Sequence, residues 1–338
     1  DALTGNLCRC TGYQPIIKAA EHACSCMDTD KFKLHEKKIC NLLDEINRDR
    51  SPLEIETSAQ KYYKPFKLAD ALAIRNKFPR ALIISGATDS ALRQTKKHEV
   101  LSEILDISDI GELKYFVEDQ QGYKIGAGLS LENLKSLSVE KLPAIHQTLK
   151  IFGSLQIRNL ATLGGNIGSA SPIGDMLPLM LAYKANVKLQ SVTFDRTIRM
   201  DEFIKGYRST NLRPTELITA VHIPKPERGT FIRSYKVSKR KDLDISTVSG
   251  GFSLQLVNGT VKEIILAFGG MADMPKRATD TEKHLVGKPW TRPNVEHARK
   301  ILAVEFSPMS DARAGSEYRN LVARNLLLKF YVETTSGL

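Results

Sequence analysis

The sequence predicts an α+β protein of more than one domain. Residues 68–107 alternate helix and strand patterns, as in a parallel βαβ unit. Residues 231–268 instead form three strand patterns in a row, and Asn258-Gly259 between the last two is the strongest hairpin signal in the chain. Helix patterns follow. We therefore expect α/β organisation in the middle of the chain and an antiparallel sheet with helices at its end.

The first 57 residues predict a helix followed by a linker. Pro15 is typical of a first helical turn and predicts a helix over residues 15–23. Residues 27–57 are charged and hold few strand patterns, so we interpret them as a linker with one short helix over residues 34–46.

The remaining elements follow from hydrophobic periodicity and turn residues. Helices are expected over residues 68–77, 88–97, 131–137, 143–152, 177–184, 275–284, 293–303 and 312–332. Strands are expected over residues 81–85, 103–107, 114–118, 123–126, 217–223, 231–237, 249–257 and 261–268, and near Val187 and Thr193. Pro224 and Pro226 interrupt the pattern and predict a domain boundary.

Composition excludes several classes of protein. The 338 residues are 42% apolar and 26% charged, which is typical of a globular chain of about two domains and not of a disordered or collagen-like one. The net charge of +11 suits solubility, nucleic acid, an anionic cofactor or an acidic partner, but the charges are scattered and form no long basic tract. We expect neither nucleic acid nor membrane as partner.

The chain has neither a signal-peptide pattern nor an apolar run of the roughly 18 residues that cross a bilayer, which predicts a cytoplasmic protein. Because it begins with Asp1 and not Met, we expect it to be the C-terminal part of a longer polypeptide.

Four of the five cysteines form two C-x-C pairs, Cys8/Cys10 and Cys24/Cys26. Clustered thiols in a reducing compartment indicate metal or redox work, not a disulfide framework. The predicted helix would hold the pairs roughly 20 Å apart, at about 1.5 Å per residue, which disfavours one shared zinc ion. No role is assigned to Cys24, Cys26 or Cys40. The seven histidines do not have the spacing of metal ligands, and the sequence contains no Ser/His/Asp or Cys/His arrangement for nucleophilic catalysis. We therefore expect no catalytic side chain.

Two loops have the composition of anion-binding sites. The first, residues 83–89, reads Ile83-Ile84-Ser85-Gly86-Ala87-Thr88-Asp89 and joins a predicted strand to a helix, where backbone N–H groups point outward. The second, residues 161–175, is rich in Gly, Ser, Thr and Asn and is neither a G-x-G-x-x-G nor a Walker sequence. We expect its hydroxyl and N–H groups to wrap a pyrophosphate, with Asp175 accepting from a sugar hydroxyl.

These motifs together resemble the molybdenum hydroxylase family, to which the xanthine dehydrogenases belong. Cys8-Arg9-Cys10-Thr11-Gly12-Tyr13 resembles the end of its helical [2Fe–2S] domain. Thr162-Leu163-Gly164-Gly165-Asn166-Ile167, followed by Ala170-Ser171-Pro172 and Asp175, resembles a phosphate loop of its flavin domain. Ser310-Asp311-Ala312-Arg313-Ala314 resembles a stretch of its C-terminal flavoprotein domain, so the resemblance covers nearly the whole chain.

The resemblance implies a fold and a division of the chain. Residues 1–26 would be the remnant of a [2Fe–2S] domain and residues 27–57 a linker. Residues 58–224 would be a vanillyl-alcohol-oxidase-like (PCMH-type) FAD-binding domain of two α/β subdomains. Residues 225–338 would be a C-terminal domain like that of the CO dehydrogenase flavoprotein.

The resemblance also implies cofactors, partners and site residues. Cys8 and Cys10 would be two of the four thiolates of a [2Fe–2S] cluster, the others coming from a missing N-terminal segment. A larger partner subunit would carry the molybdenum cofactor, in a heterotetramer or dimer of heterodimers, and NAD⁺ would be the acceptor. The implied FAD contacts are Ile83, Ile84, Gly86, Ala87, Thr88, Asp89, Phe152, Thr162, Gly165, Asn166, Ser169, Ser171, Asp175, Leu217, Ile218 and Lys236.

The implied function is electron transfer from iron–sulfur clusters through FAD to NAD⁺ after a purine is oxidised at molybdenum. Two alternatives stay open. A related hydroxylase of aldehydes, nicotinate or CO would have nearly the same sequence here, because the substrate binds on the molybdenum subunit. A non-catalytic relic of the FAD fold, without a working cluster, would also retain these motifs.

Overall fold

A computed structural model describes residues 3, 5–6, 12–25 and 30–336 of the chain. Its first two helices are α1 (Tyr13–Ser25) and α2 (Lys31–Ile46), and neither buries a residue. Asp30 caps α2 by accepting from the amides of Phe32 and Lys33. This cap lets the helix begin three residues before the predicted start. Cys8, Cys10 and Cys26 lie outside the described residues.

The first subdomain is a four-stranded sheet with two helices. Its elements are β1 (Leu53–Glu56), β2 (Lys61–Lys64), α3 (Leu68–Lys77), β3 (Leu82–Ile84), α4 (Ala91–Lys97) and β4 (Glu103–Asp106). The strand order is β1-β2-β4-β3, and β4 is parallel to both β2 and β3, which confirms the parallel βαβ unit. β1 pairs antiparallel with β2, so four residues of the predicted linker belong to this sheet.

The second subdomain surrounds a five-stranded antiparallel sheet. Its elements are β5 (Phe116–Glu118), β6 (Gly122–Gly126), α5 (Leu131–Leu137), α6 (Pro143–Lys150), α7 (Leu155–Leu160), α8 (Leu163–Gly168), α9 (Met176–Ala182), β7 (Asn186–Gln190), β8 (Asp195–Arg199), α10 (Met200–Phe203), β9 (Ile204–Gly206), β10 (Ser209–Thr210) and β11 (Leu217–Pro224). The sheet order is β5-β6-β11-β7-β8, and β9 and β10 form a separate ribbon.

Among the differences between this subdomain and the sequence prediction, two have a clear local cause. The second loop contains α8, because Thr162 caps it and Leu163 and Ile167 are fully buried beneath it. The strand expected near Thr193 begins at Asp195 instead, after a turn in which the amide of Ser191 donates to the carbonyl of Phe194.

The C-terminal part is an antiparallel sheet packed against helices. Its elements are β12 (Phe231–Val237), β13 (Val248–Val257), β14 (Thr260–Gly269), β15 (Lys276–Arg277), α11 (Thr279–Leu285), α12 (Arg292–Glu305) and α13 (Ser316–Thr335). Asn258 and Gly259 have φ angles of 50° and 75°, which confirms the predicted tight hairpin. The helix predicted from residue 275 begins at Thr279, because Lys276 and Arg277 first pair with β14.

The C-terminal sheet lies directly against the second subdomain. Ile265 and Ala267 of β14 belong to the same buried cluster as α9. A Cβ on Gly251 of β13 would lie 2.3 Å from the carbonyl oxygen of Pro178, so only glycine permits this approach. This contact brings the ends of β12 and β13 next to the second loop. No helix among the described residues is long and apolar enough to cross a membrane.

Candidate cofactor-binding site

The first loop presents free backbone donors. The N–H groups of residues 86–89 donate to no residue that the structure describes. Ala87 has a left-handed φ of 54°, which reverses the chain between β3 and α4. Successive free N–H groups in such a turn form a concave surface that binds anions. The loop therefore fits a phosphate group, as its sequence predicts.

Gly86 holds this loop against the second loop. A Cβ on Gly86 would lie 1.7 Å from the carbonyl oxygen of Leu160 and 2.9 Å from the amide nitrogen of Ala161. A glycine in such a loop commonly lets a ligand approach the backbone closely. The structure shows instead that its bare face packs on the backbone at the end of α7. Because Thr162 follows at once, this contact joins the two predicted loops into one site.

The first loop is also tied to the β9–β10 ribbon. Asp89, predicted as a cofactor contact, forms an ion pair with Arg208, with the nearest oxygen 2.7 Å from Nη1. This hydrogen bond is the main cause that raises the pKa of Arg208. The carboxylate of Asp89 therefore anchors the loop.

The second loop uses most of its polar groups to hold its own shape. The hydroxyl of Thr162 accepts from the amide of Gly165 at 3.0 Å. The amides of Leu163 and Gly164 donate to the carbonyls of Leu129 and Ala127. These N–H groups are therefore not free to wrap a pyrophosphate, which departs from the sequence expectation. Their bonds explain why the glycine-rich segment is helical.

Within the second loop, Asn166 is the residue whose side chain has a buried hydrogen-bonding atom without a partner. Its side-chain Oδ1 is buried and has no hydrogen-bond donor among the described residues. A buried acceptor without a partner costs about 1–3 kcal/mol, so it is expected to meet a donor in the working protein. A sugar hydroxyl is such a donor. The residues present therefore fit the phosphates and a hydroxyl-bearing chain of a dinucleotide.

The apolar candidates lie around these loops. Phe152 and Ile218 are partly buried on the central core. Ile218 also lies close to the second loop, since a Cβ added to Gly168 would be 3.3 Å from Ile218 Cδ1. Leu217 is fully buried in the core of the first subdomain, which leaves only its backbone for a ligand. Other predicted contacts are the half-buried Ile83 and Ile84 of β3, and Ser169 and Ser171, which bond within the second loop.

Asp175 and Lys236 are brought together by the contact of the two domains. Lys236 Nζ lies 2.9 Å from Asp175 Oδ2, and the two side chains are only 5% and 6% exposed. The hydroxyl of Ser246 donates to the other carboxylate oxygen. We name these three residues the Asp175 cluster. The sequence predicted Asp175 as a hydroxyl acceptor, but this pairing was not predictable, because 61 residues separate the two charges.

Arg158 is a site residue that sequence reasoning missed. It is 1% exposed, and its Nη1 donates to the carbonyls of Phe152 and Gly153 at 3.0 and 3.1 Å. Its Nε donates to Glu132 at 2.6 Å. Burial opposes the ionisation of Glu132, but hydrogen bonds from Lys135 and Arg158 hold its pKa below the ordinary value. Arg158 therefore fixes the turn that presents Phe152.

Replacing Arg158 with methionine is expected to loosen this turn. Two partly buried carbonyls and Glu132 would lose a donor, which lowers the free energy of unfolding by about 3 kcal/mol. FAD affinity should fall with it, and denaturant unfolding and FAD titration measure the two effects. Arg292→Met, which removes an exposed i,i+4 pair with Glu296, is the control and should change little. An Arg158→Met protein of unchanged stability and affinity would contradict this role.

The described cysteines form no metal site. Cys24 and Cys40 are free and exposed. Within the described part of the chain, no group of three or more His, Cys, Asp or Glu side chains is arranged to hold a metal ion. The predicted ligands Cys8 and Cys10 lie outside that part.

The chain is similar in sequence to xanthine dehydrogenases and to a nicotinate hydroxylase. It is 30% identical to xanthine dehydrogenase of Emericella nidulans over 99% of this chain and 29% of that protein. It is 28% identical to xanthine dehydrogenase/oxidase of Gallus gallus over 98% of this chain and 30% of that protein. It is 34% identical to nicotinate hydroxylase of Emericella nidulans over 82% of this chain. The chain thus spans under a third of the length of these relatives.

Solved structures share the fold. CO dehydrogenase from Oligotropha carboxidovorans has a TM-score of 0.75 and 28% identity, covering 83% of this chain and 98% of that chain. Quinoline 2-oxidoreductase from Pseudomonas putida 86 has a TM-score of 0.75 at 21% identity and covers 84% of this chain and 99% of that one, which supports the fold alone. These neighbours confirm an α+β, PCMH-like flavin domain followed by an antiparallel-sheet domain.

Two family descriptions match consecutive segments of the chain. Residues 233–334 match the CO dehydrogenase flavoprotein C-terminal domain. Residues 55–226, which contain both loops, Asp175 and the two apolar candidates, match the FAD binding domain in molybdopterin dehydrogenase. The matched segment also contains the free N–H groups that can donate to a phosphate and the buried acceptor that has no partner. The chain therefore belongs to the FAD-binding family of the molybdenum hydroxylases.

Proposed function

We propose that this chain is the flavin-bearing part of a xanthine dehydrogenase small subunit and passes electrons from iron–sulfur clusters to NAD⁺. The observation that carries the proposal is the extent of its similarity. Its likeness to xanthine dehydrogenases extends over 98% to 100% of the chain, including the stretch before residue 55 that holds Cys8 and Cys10.

The proposed mechanism gives the protein a binding and orienting task. FAD, when bound, supplies the exchange of electrons singly or as a hydride. The N–H groups of residues 86–89 bind its phosphates, and Asn166 accepts from a hydroxyl. Phe152 and Ile218 give an apolar surface for its adenine. The carboxylate of Asp175 holds the ammonium group of Lys236 in one position, and the burial of this pair keeps water from it. No side chain in this site has to act as an acid, base or nucleophile.

The rest of the assembly follows from the same proposal. Cys8 and Cys10 supply two thiolates of a [2Fe–2S] cluster, and another segment supplies two more. A larger subunit holds the molybdenum cofactor and oxidises a purine, in a cytoplasmic heterotetramer or dimer of heterodimers. The division into residues 1–26, 27–57, 58–224 and 225–338 remains part of this proposal. A nicotinate substrate is the second candidate, because identity to nicotinate hydroxylase reaches 34%, though over only 82% of the chain.

The visible absorption spectrum of the purified protein tests the proposal. We expect flavin absorption that NADH bleaches, because an FAD-to-NAD⁺ pathway also runs in reverse. Iron analysis of the same sample reports whether a complete cluster is present. A colourless protein that FAD does not reconstitute would overturn the proposal and favour the non-catalytic relic. A flavin that oxygen reoxidises but NADH does not reduce would overturn NAD⁺ as the acceptor.

A further inference from the structure

Helix α2 presents an apolar stripe that no part of the described chain covers. Phe32, Ile39 and Ile46 are spaced seven residues apart, and Leu42 and Leu43 lie between the last two. At 3.6 residues per turn, this spacing brings the five side chains to one side of the helix. They are between 37% and 74% exposed, and α2 buries no residue. We name these five residues the α2 stripe.

The charges of α2 are divided between its two halves. Residues 31–38 hold four lysines and one glutamate, whereas residues 39–46 hold Asp44 and Glu45 and no basic residue. None of these charged side chains forms an ion pair with another residue that the structure describes. The two halves therefore have opposite charge, and neither half is neutralised by its own chain.

This order of charge is unfavourable for a helix that stands alone. The partial positive charge at a helix N-terminus favours acidic residues there, and the C-terminus favours basic ones. Beyond the cap residue Asp30, the first turn of α2 has no acidic residue, and the last turn has no basic one. A helix of 16 residues without a packed face is already marginal in water. A partner that covers the stripe and neutralises both ends would therefore stabilise α2.

A second copy of α2 that runs antiparallel to the first meets both needs. It packs the stripe of one copy on the stripe of the other, as in a short coiled coil. It also brings each basic half beside an acidic half, and the two helix dipoles oppose each other. A parallel pair would instead bring lysines beside lysines. An anionic membrane would attract the basic half but repel Asp44 and Glu45.

We infer that α2 of one chain pairs antiparallel with α2 of a second copy of this chain. The contact is isologous, so every residue in it occurs twice about a twofold axis. Lys31, Lys38 and Glu45 lie seven residues apart along one edge of the stripe. In the antiparallel pair, Lys31 of each copy lies beside Glu45 of the other, and Lys38 meets its own copy at the axis. In the proposed assembly, this contact would link the two flavin-bearing chains.

Sedimentation of the full chain over a series of concentrations tests the contact. We expect the wild type to change from monomer to dimer in the micromolar range, which suits an interface of two short helices. Leu42→Glu should raise the dimer dissociation constant about 100-fold or more, because the twofold axis makes one substitution bury two unpaired carboxylates. Leu34→Glu is the matched control and should change little, since Leu34 is an exposed leucine of α2 outside the stripe. Both variants should retain the fold, because neither side chain is buried in the single chain.

Charge variants test the direction of the pair. Lys31→Glu and Glu45→Lys should each weaken the dimer about tenfold, since each brings like charges together twice. The double variant should restore the wild-type constant, because it only exchanges the two partners. Lys38→Gln should strengthen the dimer, since it removes the repulsion between the two copies of Lys38. A surface that binds an acidic partner protein would instead lose affinity on this last change.

Three results would overturn the inference. A wild-type chain that stays monomeric at every concentration has no such contact. A dimer that Leu42→Glu leaves intact is held by another surface. A monomer that binds vesicles of phosphatidylserine, and loses that binding in Leu42→Glu, uses the stripe for a membrane. Flavin absorption of the same samples is read separately, so a monomer that binds FAD contradicts the pairing and not the proposed function.

Discussion

Gly86→Ala is expected to remove most FAD binding. The added Cβ would lie 1.7 Å from the carbonyl oxygen and 2.3 Å from the carbonyl carbon of Leu160. Both are backbone atoms, which cannot turn aside as the end of a side chain can. Overpacking of this kind costs about 1–3 kcal/mol. If the first loop moves to relieve it, its free N–H groups leave the phosphate, and FAD affinity falls about 10- to 100-fold.

Titration of the apoprotein with FAD, followed by flavin fluorescence, measures this loss. Gly206→Ala is the matched control, since a Cβ at Gly206 meets no atom within 4 Å and should leave FAD affinity unchanged. A Gly86→Ala protein that binds FAD like the wild type would mean that the two loops separate at no cost. The contact with Leu160 would then not explain why residue 86 is a glycine.

Gly86 also shows what sequence reasoning can and cannot reach. The local pattern of strand, glycine and helix is enough to locate a candidate phosphate loop. The contact that requires glycine is with α7, more than 70 residues later in the chain, and no local pattern indicates it. The hairpin at Asn258-Gly259 was predicted well for the opposite reason, because two adjacent residues determine that turn.

In the helix α8, tertiary packing outweighs a low local propensity for helix. Gly164 and Gly165 disfavour a helix by about 1 kcal/mol each, so the segment was predicted as a loop. The cap by Thr162 and the burial of Leu163 and Ile167 outweigh that cost. The sequence therefore indicated this segment as a candidate site but assigned its N–H groups to a ligand, whereas in the structure the N–H groups of Leu163, Gly164 and Gly165 bond to the protein.

Lys236→Met is expected to destabilise the protein more than any surface change. It would leave the carboxylate of Asp175, which is 6% exposed, with only the hydroxyl of Ser246 as partner. Removing one member of a buried ion pair costs about 3–5 kcal/mol, because the remaining charge stays desolvated. The double variant Lys236→Met/Asp175→Asn should recover most of this loss, since it leaves no unpaired charge. Denaturant unfolding of FAD-free protein measures both variants without a contribution from bound ligand.

The control is an ion pair of the same length on the surface. Lys262 Nζ lies 2.9 Å from Glu227, and both side chains are exposed, so Lys262→Met should change unfolding little. If Lys236→Met proves as mild as Lys262→Met, the Asp175 cluster does not hold the two domains together. If the double variant is stable but binds FAD weakly, the ion pair contributes more to FAD affinity than to the stability of the fold, because the fold then tolerates its loss and FAD binding does not.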